Sequence, residues 1–213
     1  MTRAEARERN RRALLDAALR VVARDGYHAR LDDIAEQASL TTGAIYSLFG
    51  SKNGLLTAMA ADYLGPQYDA IERAVPSGLD LIAAVDAFAR YYRRTCDAPG
   101  ALRALSIQAS LLDTAVRDPD LSSQLAASVR AHEKRLVALF TGRSHQGNAV
   151  TPQQAQRLAT ALRGLFVGLS QGVLAGVAPE ATEEFFAQAA RALVTRVSML
   201  DQHPGPSTSD GQG

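Results

Sequence analysis

Gly43, Tyr46 and Ser47 fall on one face of a short helical stretch, and Lys52 stands at the start of the next. The opposite face of that stretch is apolar, with Ile45, Leu48 and Phe49 on a 3.6-residue period. Outward hydroxyls can exchange hydrogen bonds with phosphate oxygens or base edges. An ammonium beside the free N–H groups of a helix start attracts phosphate. This is chemistry for binding a polyanion. No enzymatic constellation competes with it. His28, His132, His145 and His203 are widely separated, without metal-ligand spacing. There is no phosphate-cradling glycine loop and no nucleophile elbow, and Cys96 reads as a small apolar residue.

The elements that must position these residues are short. Leu31, Ile34, Ala35 and Ala38 recur at three- and four-residue spacing, predicting one helix. Ser39-Leu40-Thr41-Thr42-Gly43 then supplies cap and turn chemistry before the second helix. Two short helices around a tight turn describe a helix-turn-helix, whose second helix is offered to a DNA major groove.

The residues Asp33-Ile34-Ala35, Ala38, Gly43-Ala44-Ile45-Tyr46, Phe49, Ser51-Lys52 and Leu55-Leu56 together resemble the DNA-binding domain of the tetracycline-repressor (TetR) family of transcriptional regulators. The resemblance places Thr41, Thr42, Gly43, Ala44, Tyr46 and Ser47 where that family's recognition helix meets DNA. There Gly43 lets backbones approach closely, Thr42 and Ser47 offer hydrogen bonds, and Ala44 a methyl contact. Tyr46 and Lys52 are expected to hold phosphates. With no Arg, Asn or Gln on this face, shape and water-mediated readout are expected to carry more of the specificity. Three residues depart from the family pattern. Ser39 stands where the family usually has Gly, and Leu48 where a His often contacts the backbone. The segment 26–31 is one residue short and lacks the capping Thr, leaving Arg30 as an alternative phosphate contact.

Bulk properties are those of an ordinary soluble globular protein. The 213 residues are 46% hydrophobic and 21% charged, with a net charge of +1. That balance requires any nucleic-acid footprint to be local. Arg3, Arg7, Arg9, Arg11 and Arg12 against Glu5 and Glu8 supply one such local excess. A single cysteine and the absence of a signal-peptide pattern lead us to expect a cytoplasmic protein.

The remaining pattern is all-α, about nine helices, with expected divisions at 1–60 (DNA binding), 61–200 (ligand binding and dimerisation) and a disordered tail at 201–213. Helices are expected from Lys52 to about Ala74, kinked or broken at Gly65-Pro66. Others are expected from Asp80 to Thr95, Ala101 to Leu112 and Pro119 to Phe140. After a polar loop at 142–148, two more begin at Thr151-Pro152 and Thr182, the last carrying Phe185, Phe186, Leu193 and Val197. Gly164, Gly168, Gly172 and Gly176 repeat every fourth residue. Glycines at nearly 1 kcal/mol each in a helix call for close helix approach, between subunits or within one. The family resemblance implies dimerisation through the last two long helices, so Gly164, Gly168, Gly172, Phe186 and Leu193 are expected at a homodimer interface. Ligand-pocket candidates are Tyr68, Phe88, Tyr92, Leu105, Leu112 and Phe166, with Gln108, His132 and Gln171 as scarce polar groups. The same side chains could instead simply form the core. As the resemblance implies, a small apolar or aromatic effector would release the dimer from double-stranded operator DNA. No cofactor, metal or membrane is expected. The rival reading is a helical small-molecule-binding or enzymatic protein that has lost operator binding.

Overall fold

In the computed structural model, which describes residues 2–195, the chain begins with a helix that closes its own end. Thr2 accepts from the Glu5 amide, and the Glu5 carboxylate accepts from the Thr2 amide, so α1 (Arg3–Asp25) starts with both groups satisfied. Its Leu14, Leu15, Ala18, Val21 and Val22 are buried. A single 3₁₀ turn (Gly26–His28) leads to α2 (Leu31–Gln37), α3 (Thr42–Phe49) and α4 (Lys52–Ala74). Then follow α5 (Leu81–Thr95), α6 (Ala101–Arg117), α7 (Pro119–Phe140), α8 (Pro152–Leu174) and α9 (Glu183–Thr195). The caps are those the sequence offers: Asp80 for α5, Asp118 with Pro119 for α7, and Thr151 with Pro152 for α8. The expected tail at 201–213, and Val197, lie outside the described residues.

Two cores share these helices. One gathers α1 to α3 with Leu55, Leu56, Met59 and Ala60 of α4, and also takes Leu121 and Leu125 from α7. The other joins Tyr68 and Ile71 of α4 to α5, α8, α9 and the far end of α7. Both α4 and α7 therefore run through both cores. At the centre of the second core Phe88 meets Phe166 edge-on, ring centroids 5.1 Å apart, and Phe166 stacks on Phe186 at 6.2 Å. Burying each aromatic contributes about 1.5–3 kcal/mol.

Three expectations are corrected. α4 is neither broken nor interrupted at Gly65-Pro66. Proline denies a hydrogen bond to the Asp62 carbonyl, but the helix is gripped by one core before Pro66 and by the other after it. α6 continues to Arg117, more than a turn past Leu112. The polar loop holds a small hairpin, β1 (Ser144–His145) with β2 (Asn148–Ala149), turned through Gln146 and Gly147 at positive φ. Beside it Arg143, 8% exposed, donates to the carbonyls of Leu139, Pro76 and Leu79, tying α7 to the start of α5. Among the described residues no helix is long and apolar enough to cross a membrane, and no group of His, Cys, Asp and Glu could hold a metal.

Candidate DNA interface and ligand cavity

The turn between α2 and α3 is built from backbone. Ser39 donates to Glu36 and Leu40 to Ala35, both at 2.9 Å. Ser39 sits at φ 54°, in the left-handed region that a side chain enters at a cost of about 1–2 kcal/mol. Gly would be free of that cost, so the departure at this position carries a real strain. α2 has no side-chain cap, and Arg30 at its N-cap is instead exposed and 3.5 Å from Asp32. Both partners are largely in water, so the pair holds Arg30 only weakly.

On α3 the Thr41 oxygen caps the helix, accepting from the Ala44 amide at 3.3 Å. Its hydroxyl proton remains free to donate. Ile45 is fully buried and anchors the helix; Ala44, Leu48 and Phe49 pack partly against the same core. Tyr46 (54% exposed), Ser47 and Gly43 face outward, and Thr42 is half-buried at the edge of that face. The outward surface is thus the one predicted, with Ala44 turned partly inward.

Ser51 caps α4 by accepting from the Gly54 amide at 2.9 Å. The Lys52 ammonium donates to the Ala29 carbonyl at 2.7 Å, fastening the entrance of α2 to the start of α4. An ammonium has three protons, so one bond leaves capacity for a phosphate. Gly54 is a positioning residue that sequence reasoning missed. A Cβ there would stand 2.1 Å from the Phe49 carbonyl oxygen, so only glycine lets α4 come this close to the end of α3. Asn53 donates to Asp118 at 2.9 Å, and Thr57 to Gln124 at 3.2 Å, joining the same end of α4 to α7. Of the N-terminal arginines, Arg12 is held by both oxygens of Asp62 (3.0 and 3.1 Å) and lies 3.4 Å from Asp16.

A cavity of about 510 Å³ lies between α1, α4, α5, α6 and α8. Tyr92, Leu105, Gln108 and Gln171 border it, as expected. Five expected residues do not. Phe88 and Phe166 are 1% and 0% exposed within the second core. Tyr68 belongs to that core too, 5.2 Å from the His132 ring, whose Nδ1 meets the Ser128 carbonyl at 2.9 Å. Leu112 is 66% exposed, beyond the cavity on the outer side of α6. An apolar residue on the right helix is equally suited to a core and to a cavity wall, and only packing separates the two. The sequence also missed Arg12, Leu15, Asp16 and Leu19 of α1, with Asp62 and Tyr63 of α4. No local signal marked them, because α1 reads as part of the DNA-binding unit alone. Burial raises the Tyr63 hydroxyl pKa and pushes that of Tyr92 up to about 12.

The glycines of α8 do not share one role. A Cβ at Gly164 or Gly168 would meet nothing within 4 Å among the described residues, so none of their helices packs closely there. At Gly172 it would lie 3.5 Å from the Ala178 Cβ, an ordinary contact inside the chain. Gly176 lies past the helix end, at φ 72°, where a left-handed residue closes the last turn. Phe186 is a correction: it is fully buried, because 186, 190 and 194 form the inward stripe of α9. Its neighbour Phe185 is the exposed one, at 50%. Leu193 is half-buried against the core. Arg90 and Arg191 bind Asp86 and Glu184, clamping α9 to α5. Hydrogen bonds from Arg90 and then Arg191 lower the Glu184 pKa to about 2.

Known proteins share this arrangement. The sequence profile described as "Bacterial regulatory proteins, tetR family" matches residues 14–59, which span the helix-turn-helix and the start of α4. The chain is 31% identical over 182 residues to the HTH-type transcriptional regulator BetI of Burkholderia thailandensis, covering 80% of this chain and 85% of that one. Its fold is similar to the multidrug binding protein EbrR complexed with imidazole, at TM-score 0.65 and 20% identity over 94% of this chain and 98% of that one. It is also similar to the transcriptional regulator FadR from Bacillus subtilis in complex with stearoyl-CoA, at TM-score 0.63 and 16% identity, covering 90% and 99%. With its helix-turn-helix, its nine described helices and this relative along most of its length, the chain belongs to the tetR family and is a DNA-binding transcriptional regulator.

Proposed function

We propose that the protein is a cytoplasmic, homodimeric repressor that a small apolar or aromatic molecule releases from a pseudo-palindromic operator. Residues 1–60 bind DNA and 61–200 bind the ligand and the second subunit. Arg30, Thr41, Thr42, Gly43, Ala44, Tyr46, Ser47 and Lys52 form the DNA surface. One observation carries the reading: the cavity is walled partly by α1 and α4, which belong to the DNA-binding core. A molecule filling it presses on Leu15 and Met59 of that core as well as on α5, α6 and α8. Two structural neighbours, EbrR and FadR, were solved with small molecules bound. The open faces of Gly164 and Gly168 on α8, and exposed Phe185 on α9, suit a second copy of the chain.

A ligand releases DNA only if it binds the DNA-incompetent state better, and its own affinity must then fall by the same factor when operator is bound. α4 is the natural lever, since Lys52 and Gly54 touch the recognition unit at one end and Tyr63 and Gln67 line the cavity further along. Calorimetry on the free and DNA-bound protein tests this, using any small molecule that raises the melting temperature of the free protein. Weaker binding to the DNA complex is expected. Equal affinity for both forms would remove the inducible mechanism for that molecule.

A further inference from the structure

Two enclosed polar groups of the cavity wall, the Tyr92 hydroxyl and Ser170 Oγ, have no hydrogen-bond partner among the described residues. Tyr92 is enclosed by protein, stacked on Phe166 at 5.1 Å and edge-on to Phe88 at 5.9 Å. Yet it keeps accessible surface because it borders the cavity. Its hydroxyl makes no hydrogen bond within the described chain. Ser170 lies one helical turn after Phe166 on α8, also in the wall, and its Oγ is sealed from water without a partner. An unanswered buried polar group costs about 1–3 kcal/mol, and a change of χ1 well is the motion by which Oγ would reach a ligand at the wall that Ser170 borders.

The electrical setting of these groups selects among ligands. Burial raises the Tyr92 hydroxyl pKa against the opposing charge of Arg163, the smaller influence, and the same low-dielectric surroundings resist an anion. No carboxylate bears on Tyr92, so a cation would find no counter-charge there. Charged groups occur instead at the more exposed rim, where Arg12 is already bound to Asp62 at 3.0 Å and Arg103 is exposed.

We propose that the cavity takes an uncharged, largely apolar molecule bearing one hydroxyl or carbonyl group, anchored by the Tyr92 hydroxyl and Ser170 Oγ. The proposal rests on the ligand-responsive reading above and adds its chemical class. The full-length protein is tested against four probes of one shape: naphthalene, 2-naphthol, 2-naphthoate and 2-naphthylmethylammonium, at neutral pH. The chain has no tryptophan, so naphthyl fluorescence reports binding directly. Naphthol binds tighter than naphthalene by roughly three- to tenfold, the worth of a hydrogen bond between uncharged groups, and tighter than either ion. Tyr92→Phe brings naphthol down to the level of naphthalene and leaves naphthalene unchanged. Ser170→Ala, which keeps the Tyr92 packing, moves naphthol in the same direction. A charged probe binding best overturns the proposal. So does a Tyr92→Phe loss equal for naphthol and naphthalene, which would mark a packing role only. Failure of all four probes also overturns the ligand class. The ligand-responsive reading itself fails only if a broad thermal-shift library likewise finds nothing that stabilises the protein.

Discussion

Gly54→Ala isolates the contact that sets the recognition helix. In an unconstrained helix, replacing Gly by Ala stabilises by about 1 kcal/mol. Here the new Cβ would stand 2.1 Å from the Phe49 carbonyl oxygen, where ordinary contact begins at 3.4 Å. The two backbones must separate by about 1.3 Å, the difference of those distances. Neither can yield cheaply, since Phe49 ends α3 and the Gly54 amide is held by the Ser51 cap. Overpacking costs up to about 3 kcal/mol. Subtracting the helix gain leaves a net loss of about 2 kcal/mol, or a melting temperature lower by roughly 4–8 °C for a chain of this size. The displaced element carries Tyr46 and Ser47, so affinity for operator should fall further than stability explains. Calorimetric melting with fluorescence anisotropy on operator and on random DNA measures both effects. A variant as stable as wild type, or more so, with unchanged operator affinity would refute the reasoning.

Four further outcomes are expected. Lys52→Ala should weaken binding to every DNA sequence alike and reduce the salt slope by about one unit; Thr42→Ala or Ser47→Ala should instead shift preference at one base position, by roughly 1–3 kcal/mol where the contact is direct, as binding to operator variants would report. Gly168→Leu adds bulk where the described residues offer no neighbour, so it should split the dimer while leaving the subunit folded, as read by sedimentation equilibrium; an unchanged dimer would place the interface elsewhere. Glu184 has its pKa lowered from 4.5 to about 2 by Arg90 and Arg191. A depressed carboxylate contributes stability that is complete above its unfolded value and lost as pH falls through the folded one. Acid unfolding between about pH 4.5 and 2 should therefore be steeper in wild type than in Glu184→Gln.

The sequence by itself determined most helix boundaries and the outward face of α3, because caps and periodicity act within a few residues. Asp80, Asp118-Pro119 and Thr151-Pro152 begin helices wherever they stand. The outward position of Tyr46 and Ser47 follows from Ile45 being the residue that must be buried. The strained turn at Ser39 was equally legible, since one residue type there favours the left-handed region and another resists it. Only the tertiary structure decided which apolar side chains face a cavity and which fill a core. Phe88 and Tyr92 lie four residues apart on one face of α5, yet the first is sealed against Phe140 of α7 and Phe166 of α8 and the second borders the cavity. Phe185 and Phe186 are identical in type and adjacent, and only the docking of α9 on α5 buries one of them. The same holds for Arg12 with Asp62, fifty residues apart in sequence, and for Gly54, whose partner Phe49 is only five residues away but belongs to another helix. Local pattern encodes how a helix begins, turns and presents its faces; what meets each face is settled by the packing of helices that share no sequence neighbourhood.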